Sequence, residues 1–470
     1  MMPRMNRNLL HAVAVAFAAL CLFGMSIRPA AAQIMLRDAE TEMMLNEAAA
    51  PIVKAAGLRP SDVRFVLIQD NSINAFVAGG QAVYLHTGLL DKADNINEVL
   101  GVIAHELGHV VGGHAVLQRD GGYGTVSLLS LALGLAAVAA GAPDAGMGIL
   151  MAGQRAAIGR YLAFSRSQES SADAAGARFL TTAGISGKGM LEFFKKLQNM
   201  EFSYGYYSNN PEVDPFARSH PMSGERLRTL TDDLQKSPSW NKPTEPQLDI
   251  RFKRVQAKLR GYVNEPKATL QRYPTTDTSI YAHYARAYAY HRSGYPDQAR
   301  AETMALVQAQ PEDPFFLELE GQILLESGDP TGALVPLRKA TEKTGFQPLI
   351  ASTFGHALVA TDDAANLAEA ERVLRQALAR DRENPYAWFQ LGMVFERKGD
   401  EPRVALATAE RASLTGDPGV AFMSARRAMG GLPTGSPDWV RAQDIMMVSQ
   451  TALEEAKNGK RRLTMSASPQ

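Results

Sequence analysis

His105, Glu106 and His109 fall in the pattern His-Glu-x-x-His within a mostly apolar stretch, residues 96–114. On a helix, residues four apart differ by about 40° and one turn of about 5.4 Å, so both imidazoles leave the same face. Two imidazoles at that spacing can grip one tetrahedral zinc, and the carboxylate between them is placed to act as general base on a water. Val99, Leu100, Val102, Ile103, Leu107, Val110 and Val111 surround the pattern, which predicts a buried helix that holds it stiffly. The plainer reading is two core histidines on an apolar helix, so the rest of the chain has to decide.

A catalytic zinc with three protein ligands needs one more donor and leaves one position open. Glu169, in the run Ser165-Arg166-Ser167-Gln168-Glu169-Ser170-Ser171-Ala172-Asp173, suits that role from a second helix. Asp173 lies one turn further on and can take the free N–H of a ligand histidine. Alone, a Glu-x-x-x-Asp is more often a solvated helix face; its weight comes from following the pentad. His114 lies five residues past His109, off the ligand face of a continuous helix, and His283, His291 and His356 have no ligand spacing. None of these four is assigned a role.

The elements that must position these groups follow from periodicity. Residues 36–57 read as a helix ending at Gly57, and Val63–Gln69, Ile73–Ala78 and Ala82–His86 as short strands separated by Asp70-Asn71 and Gly79-Gly80. This small sheet either offers an edge strand beside the metal for an extended peptide or is an ordinary hairpin. Residues 126–142 carry no charge. As a helix they cover about 25 Å, short of a hydrocarbon core of about 30 Å, which favours a lid near the site over peripheral membrane contact. Residues 148–165 read as a further helix.

Residues 236–247 are rich in proline and mark a linker. Beyond them, Pro385-x-x-Trp388-x-x-Leu391-Gly392-x-x-Phe395 with Ala405, Ala409 and Ala412 fits the helix–turn–helix tetratricopeptide pattern. Ala285, Gly321, Gly355 and Gly392 recur at intervals of 36, 34 and 37, enough for a solenoid whose concave side could bind protein. Ser436-Pro437-Asp438 opens a capping helix running to about Glu455.

Lys and Arg total 49 and Asp and Glu 49, a balance that argues against nucleic acid as a partner. Arg4 and Arg7, the apolar Leu9–Ile27 and Ala30-Ala31-Ala32 read as a cleavable signal peptide. Cys21, the only cysteine, lies within it, so a processed chain would rely on packing rather than disulfides. The expected organisation is a signal peptide 1–32, a metallopeptidase domain 33–235, a linker 236–247, a repeat domain with its cap 248–456 and a loose basic tail 457–470.

Asn74-Ala75-Phe76, Gly79-Gly80 with His86-Thr87-Gly88-Leu89, the pentad, and Arg166-x-x-Glu169-x-x-Ala172-Asp173 together resemble the HtpX/CaaX-prenyl-protease type of zinc metallopeptidase. The likeness covers about residues 36–235 and is closest to a soluble periplasmic branch. It implies a zincin-type fold, one zinc per chain, and Glu169 as third ligand. Ser219-His220-Pro221-Met222-x-x-Glu225-Arg226-Leu227 resembles a loop whose histidine fills the open zinc position in such a periplasmic member. By that likeness His220 is a fourth ligand that plugs or regulates the site; by its own local sequence it is a His-Pro turn before a helix. The fold class expected is α+β, a mainly helical zincin-type domain with a small β-sheet followed by an all-α tetratricopeptide-repeat solenoid. The function the resemblance implies is a periplasmic zinc endopeptidase in quality control. Its substrates would be unfolded or stalled outer-membrane proteins, and its repeats would contact their assembly machinery. The rival is a repeat-based chaperone or assembly factor with a latent or structural zinc site.

Overall fold

The computed structural model describes residues 35–114, 166–204, 220 and 223–466, with side chains described to 458 apart from 201–204. The expected signal peptide, the uncharged run 126–142, the helix 148–165 and the neighbours Ser219, Pro221 and Met222 lie outside the described residues.

The first half opens with β1 (Met35–Leu36), α1 (Ala39–Ala55), β2 (Arg64–Ile68), β3 (Ala75–Ala78) and β4 (Ala82–His86). The sheet order is β1-β2-β4-β3, with β2 parallel to β4 and the other two pairings antiparallel. Gly79 and Gly80, at φ 61° and 96°, supply the left-handed backbone that lets β3 return directly into β4. β3 therefore lies at one edge, where Phe76 stacks on Tyr84 with ring centroids 4.9 Å apart. Leu36 was expected to start a helix, yet with Met35 it forms a strand that pairs with Leu67 and Ile68.

After α2 (Thr87–Lys92) comes α3 (Ile96–Val111), whose N-terminus is capped by Asn95 accepting from the Glu98 N–H. Every residue from Ile96 to His109 is buried. The expected burial fails only in the last turn, where Val111 is 51% exposed. Two helices bracket α3: α4, described over 166–183, and α5 (Lys188–Tyr204). Both touch it backbone to backbone. A methyl on Gly108 would sit 2.6 Å from the Ala172 carbonyl oxygen, and one on Gly101 2.4 Å from Met190 Cα. A single core runs from Met44, Leu45 and Ile52 of α1 through Leu85 of β4 and Ile103 of α3 to Phe193 and Phe194 of α5.

The same core continues through α6 (Gly224–Gln235) into α7 (Pro246–Val263), whose Phe252, Val255 and Leu259 are part of it. The proline-rich stretch before α7 is packed as well. Ser186 donates to the Trp240 carbonyl at 2.7 Å, and the Trp240 ring lies under Lys188 Nζ at 5.2 Å. A composition shift marks a change of element here, and apolar Trp240 and Phe252 carry the first core across it.

From α8 (Pro266–Arg272) onward the chain is helical pairs: α9 (Ile280–Arg292) with α10 (Pro296–Ala309), α11 (Pro314–Glu326) with α12 (Pro330–Lys343), and α13 (Pro348–Ala360) with α14 (Ala364–Arg380). α15 (Pro385–Arg397) with α16 (Glu401–Leu414), and α17 (Pro418–Gly431) with α18 (Pro437–Ser466), complete them. Asp313, Gln347, Asn384 and Asp417 each cap a helix whose first residue is proline, so the start of every pair from α11 on has the same chemistry. Small residues set the packing distance: Gly321 and Gly355 lie against Leu337 and Leu374 of their partner helices. The fold is α+β, a mainly helical domain with a small sheet followed by an all-α solenoid. α17 is one helix more than the repeat pattern anticipated, and α18 continues to Ser466 rather than stopping near Glu455. Among the described residues no helix is long and apolar enough to cross a membrane.

Candidate active site

α3 presents His105 and His109 from consecutive turns, and their Nε2 atoms approach to 3.1 Å. α4 can lie close enough to add a carboxylate because glycine stands at the contact on both helices. Gly108 faces Ala172, and a methyl on Gly176 would be 3.1 Å from the Ala104 backbone. Glu169 Oε2 is then 3.4 Å from His105 Nε2, and Oε1 3.4 Å from His109 Nε2. Tetrahedral ligand atoms on zinc bonds of about 2.0–2.1 Å stand about 3.3–3.4 Å apart. The three donors have the separation and chemistry that zinc requires.

His220 joins them. Its Nδ1 is 2.9 and 3.0 Å from the two Glu169 oxygens and 3.3 Å from His105 Nε2. All four residues are buried, and one ligand atom from each falls within 4.8 Å of every other. Glu106 stands beside this group. Its Oε1 is buried with no hydrogen-bond partner, and His220 Nε2 is 3.7 Å away. A buried carboxylate oxygen without a partner is costly unless something it serves comes and goes.

Around this ring the polar groups are held in turn. Asp173 Oδ1 is 2.9 Å from His105 Nδ1. Arg226, from the first turn of α6, forks onto Asp173 with Nε–Oδ2 2.7 Å and Nη2–Oδ1 2.9 Å, and its Nη1 reaches Glu169 Oε2 at 3.1 Å. Burial opposes a charge on His105, but Asp173 and Glu169 outweigh it and lift its pKa to about 10. Burial likewise opposes the Glu169 carboxylate, yet His220, His105 and His109 hold it well below the usual range. His105 and Arg226 do the same for Asp173 against its own burial. His109 is moved the other way, downward, mainly by burial.

Two partners of the site carried no role in the sequence reading. Arg226 stood inside the Ser219–Leu227 pattern, but its target is 53 residues away in sequence and no local spacing reports it. His114 Nδ1 lies 2.8 Å from His109 Nδ1. Helix geometry put it off the ligand face; the chain leaves the helix at Gly112, and Gly113, at φ 65°, folds His114 back over His109. The Gly112-Gly113 pair was the available signal.

The comparisons with known proteins bear on the same segment. Residues 35–233 match the model of peptidase family M48. This stretch is a peptidase family M48 domain. The matched stretch runs from β1 into α6, so α3 with its two histidines, Glu169, His220 and Arg226 fall inside it. Over more of its length the chain is similar to a beta-barrel assembly-enhancing protease of Escherichia coli (strain K12), 24% identical over 397 residues, 81% of this chain and 77% of the relative. A putative beta-barrel assembly-enhancing protease of Vibrio cholerae is 28% identical over 262 residues, and there the match spans about half of each chain, 54% and 52%. The metalloprotease LoiP of Escherichia coli (strain K12) is 32% identical over 177 residues, 37% of this chain and 63% of the relative. Residues 35–233 thus match a peptidase family, LoiP is a metalloprotease by name, and the buried His105, His109, Glu169 and His220 of this stretch are a group that could hold a metal.

Proposed function

We propose that the protein is a periplasmic zinc-dependent endopeptidase of protein quality control, with zinc held by His105, His109 and Glu169 and with Glu106 as general base. The observation that carries this reading is the convergence of two Nε2 atoms and a carboxylate at 3.1–3.4 Å beside the unpartnered Glu106 oxygen. Zinc, when bound, supplies a Lewis acid that polarises a peptide carbonyl and lowers the pKa of a water towards about 7. Glu106 takes the proton of the attacking water and returns it to the leaving amine. Asp173 fixes the His105 ring through Nδ1, His114 fixes His109, and Arg226 locks Asp173 and Glu169 together. β3, an edge strand packed against α3, offers backbone groups along which an extended substrate could pair.

The signal-like residues 1–32 and the names of the full-length relatives support an envelope setting. Unfolded or stalled outer-membrane proteins are the substrates this suggests. The paired helices, read as tetratricopeptide repeats, would contact the assembly machinery. A second reading has its own observation. His220 Nδ1, 2.9 Å from Glu169 and 3.3 Å from His105, stands where a fourth ligand would close the site. In that state the protein is a latent protease, and outwardly a repeat-based chaperone.

Metal analysis and a casein degradation assay on the signal-less protein test the proposal. About one zinc per chain and slow degradation are expected, and Glu106→Gln should keep the zinc and lose turnover by about 10²–10⁴-fold. Undiminished degradation by Glu106→Gln would sink the assignment of the base. Full complementing activity in cells with Glu106→Gln would favour the chaperone.

A further inference from the structure

A cavity of about 420 Å³ lies between the start of α1 and the inner helices of the solenoid, and it shares no residue with the metal centre. α7 contributes Lys258, α9 Tyr288, α11 Glu318 and Glu326, and α15 Tyr386. Its charges are matched with one exception. Arg37 donates to Glu42 and Asp381, and Lys258 pairs with Asp38 and sits 3.6 Å from Glu40. Glu326 accepts from His291 at 2.6 Å and from Gln322 at 2.9 Å. The exception is Glu318, whose Oε2 is buried with no hydrogen-bond partner. Burial pushes its pKa up to about 7 against the pull of Lys258, so a cation donating to Oε2 would stabilise the charged carboxylate.

The remaining lining narrows the guest. Tyr262 and Tyr386, 39% and 42% exposed, border the same space and present rings that favour a cation over an anion. One unpartnered carboxylate is too few for a metal, which takes several oxygen ligands. It is sufficient for an ammonium group on a flexible stem. The wall is built from α9, α11, α13 and α15, the first helices of successive pairs, and such a row in a helical solenoid forms an elongated binding face.

We propose that this cavity receives a lysine side chain of an extended polypeptide lying along the inner helices, its ammonium donating to Glu318. The inference is independent of the metal reading. Fluorescence anisotropy at low salt tests it, with the full signal-less chain and capped, labelled heptapeptides bearing lysine, norleucine or glutamate at the centre. The lysine peptide should saturate, and the norleucine and glutamate peptides should bind at least tenfold more weakly. Glu318→Gln, nearly isosteric, should weaken the lysine peptide at least tenfold and leave the norleucine peptide unchanged. Thr353→Lys, which brings an ammonium into the cavity from its own wall, should do the same, with helicity by circular dichroism confirming that both variants fold. Equal binding of lysine and norleucine peptides would overturn the proposal. So would lysine binding indifferent to both substitutions, or no saturation by any peptide up to millimolar concentration.

Discussion

Asp173 has a different partner on each side, His105 Nδ1 at 2.9 Å and the Arg226 fork at 2.7 and 2.9 Å. Asp173→Asn keeps the shape and removes the charge, so the bond to His105 Nδ1 loses its charge assistance and the Arg226 fork loses one acceptor. Zinc affinity should fall about 10–100-fold by chelator competition while the fold persists. His220 gives the sharper test, because it approaches the same donors without belonging to α3 or α4. If it plugs the site, His220→Ala should leave zinc near one per chain and raise casein degradation several-fold. Loss of zinc or activity would make it a positive part of the machinery; no change would leave the turn-forming reading. At this scale the sequence was informative wherever partners share a helix. His105, Glu106 and His109 announce themselves by spacing, and Glu169 with Asp173 by one turn. Arg226 could not, since its partners are brought to it by the packing of α6.

The distance between α3 and α4 is set by glycine, and the ligand set depends on it. Gly108→Ala must push Ala172 away, because the new methyl would sit 2.6 Å from its carbonyl oxygen. A shift of a few tenths of an ångström or more moves Glu169 away from both imidazoles. The expected result is a folded protein with strongly reduced zinc, detected by metal analysis and a lowered Tm; normal zinc would mean that α4 does not position the third donor. Helices and strands were largely readable from period and punctuation, as at β4, where the reading and the structure share Ala82–His86. Strand order was not. A two-residue β1 carries no alternation to detect, and the parallel pairing of β2 with β4 arises from the crossover between them. Proline content likewise spoke to local backbone and was silent on Trp240, whose packing is tertiary.

Across the whole molecule, the two halves meet through buried charge. Glu40 on α1 accepts from Arg254 at 2.5 Å and from Tyr284 at 2.7 Å, with Lys258 at 3.6 Å, and Arg254 also reaches Asp313 at 2.6 Å. Glu40→Ala leaves Arg254 with Asp313 alone and Lys258 with Asp38 alone, removes the acceptor of the Tyr284 hydroxyl, and should cost about 1–3 kcal/mol, seen as a lower midpoint in urea. One cooperative transition for sheet and solenoid together is expected; a separate transition at each half's own midpoint would count against the coupling. The repeat period was plain in the sequence, but this junction was not, since Glu40 in a first helical turn looks like any acid favoured there by the helix dipole. The junction also has a consequence in time. Glu40 leaves the ribosome 214 residues before Arg254 and 244 before Tyr284. Until those arrive, α1 has a carboxylate to bury and no cation to bury it against, so the peptidase half is made first and completed late.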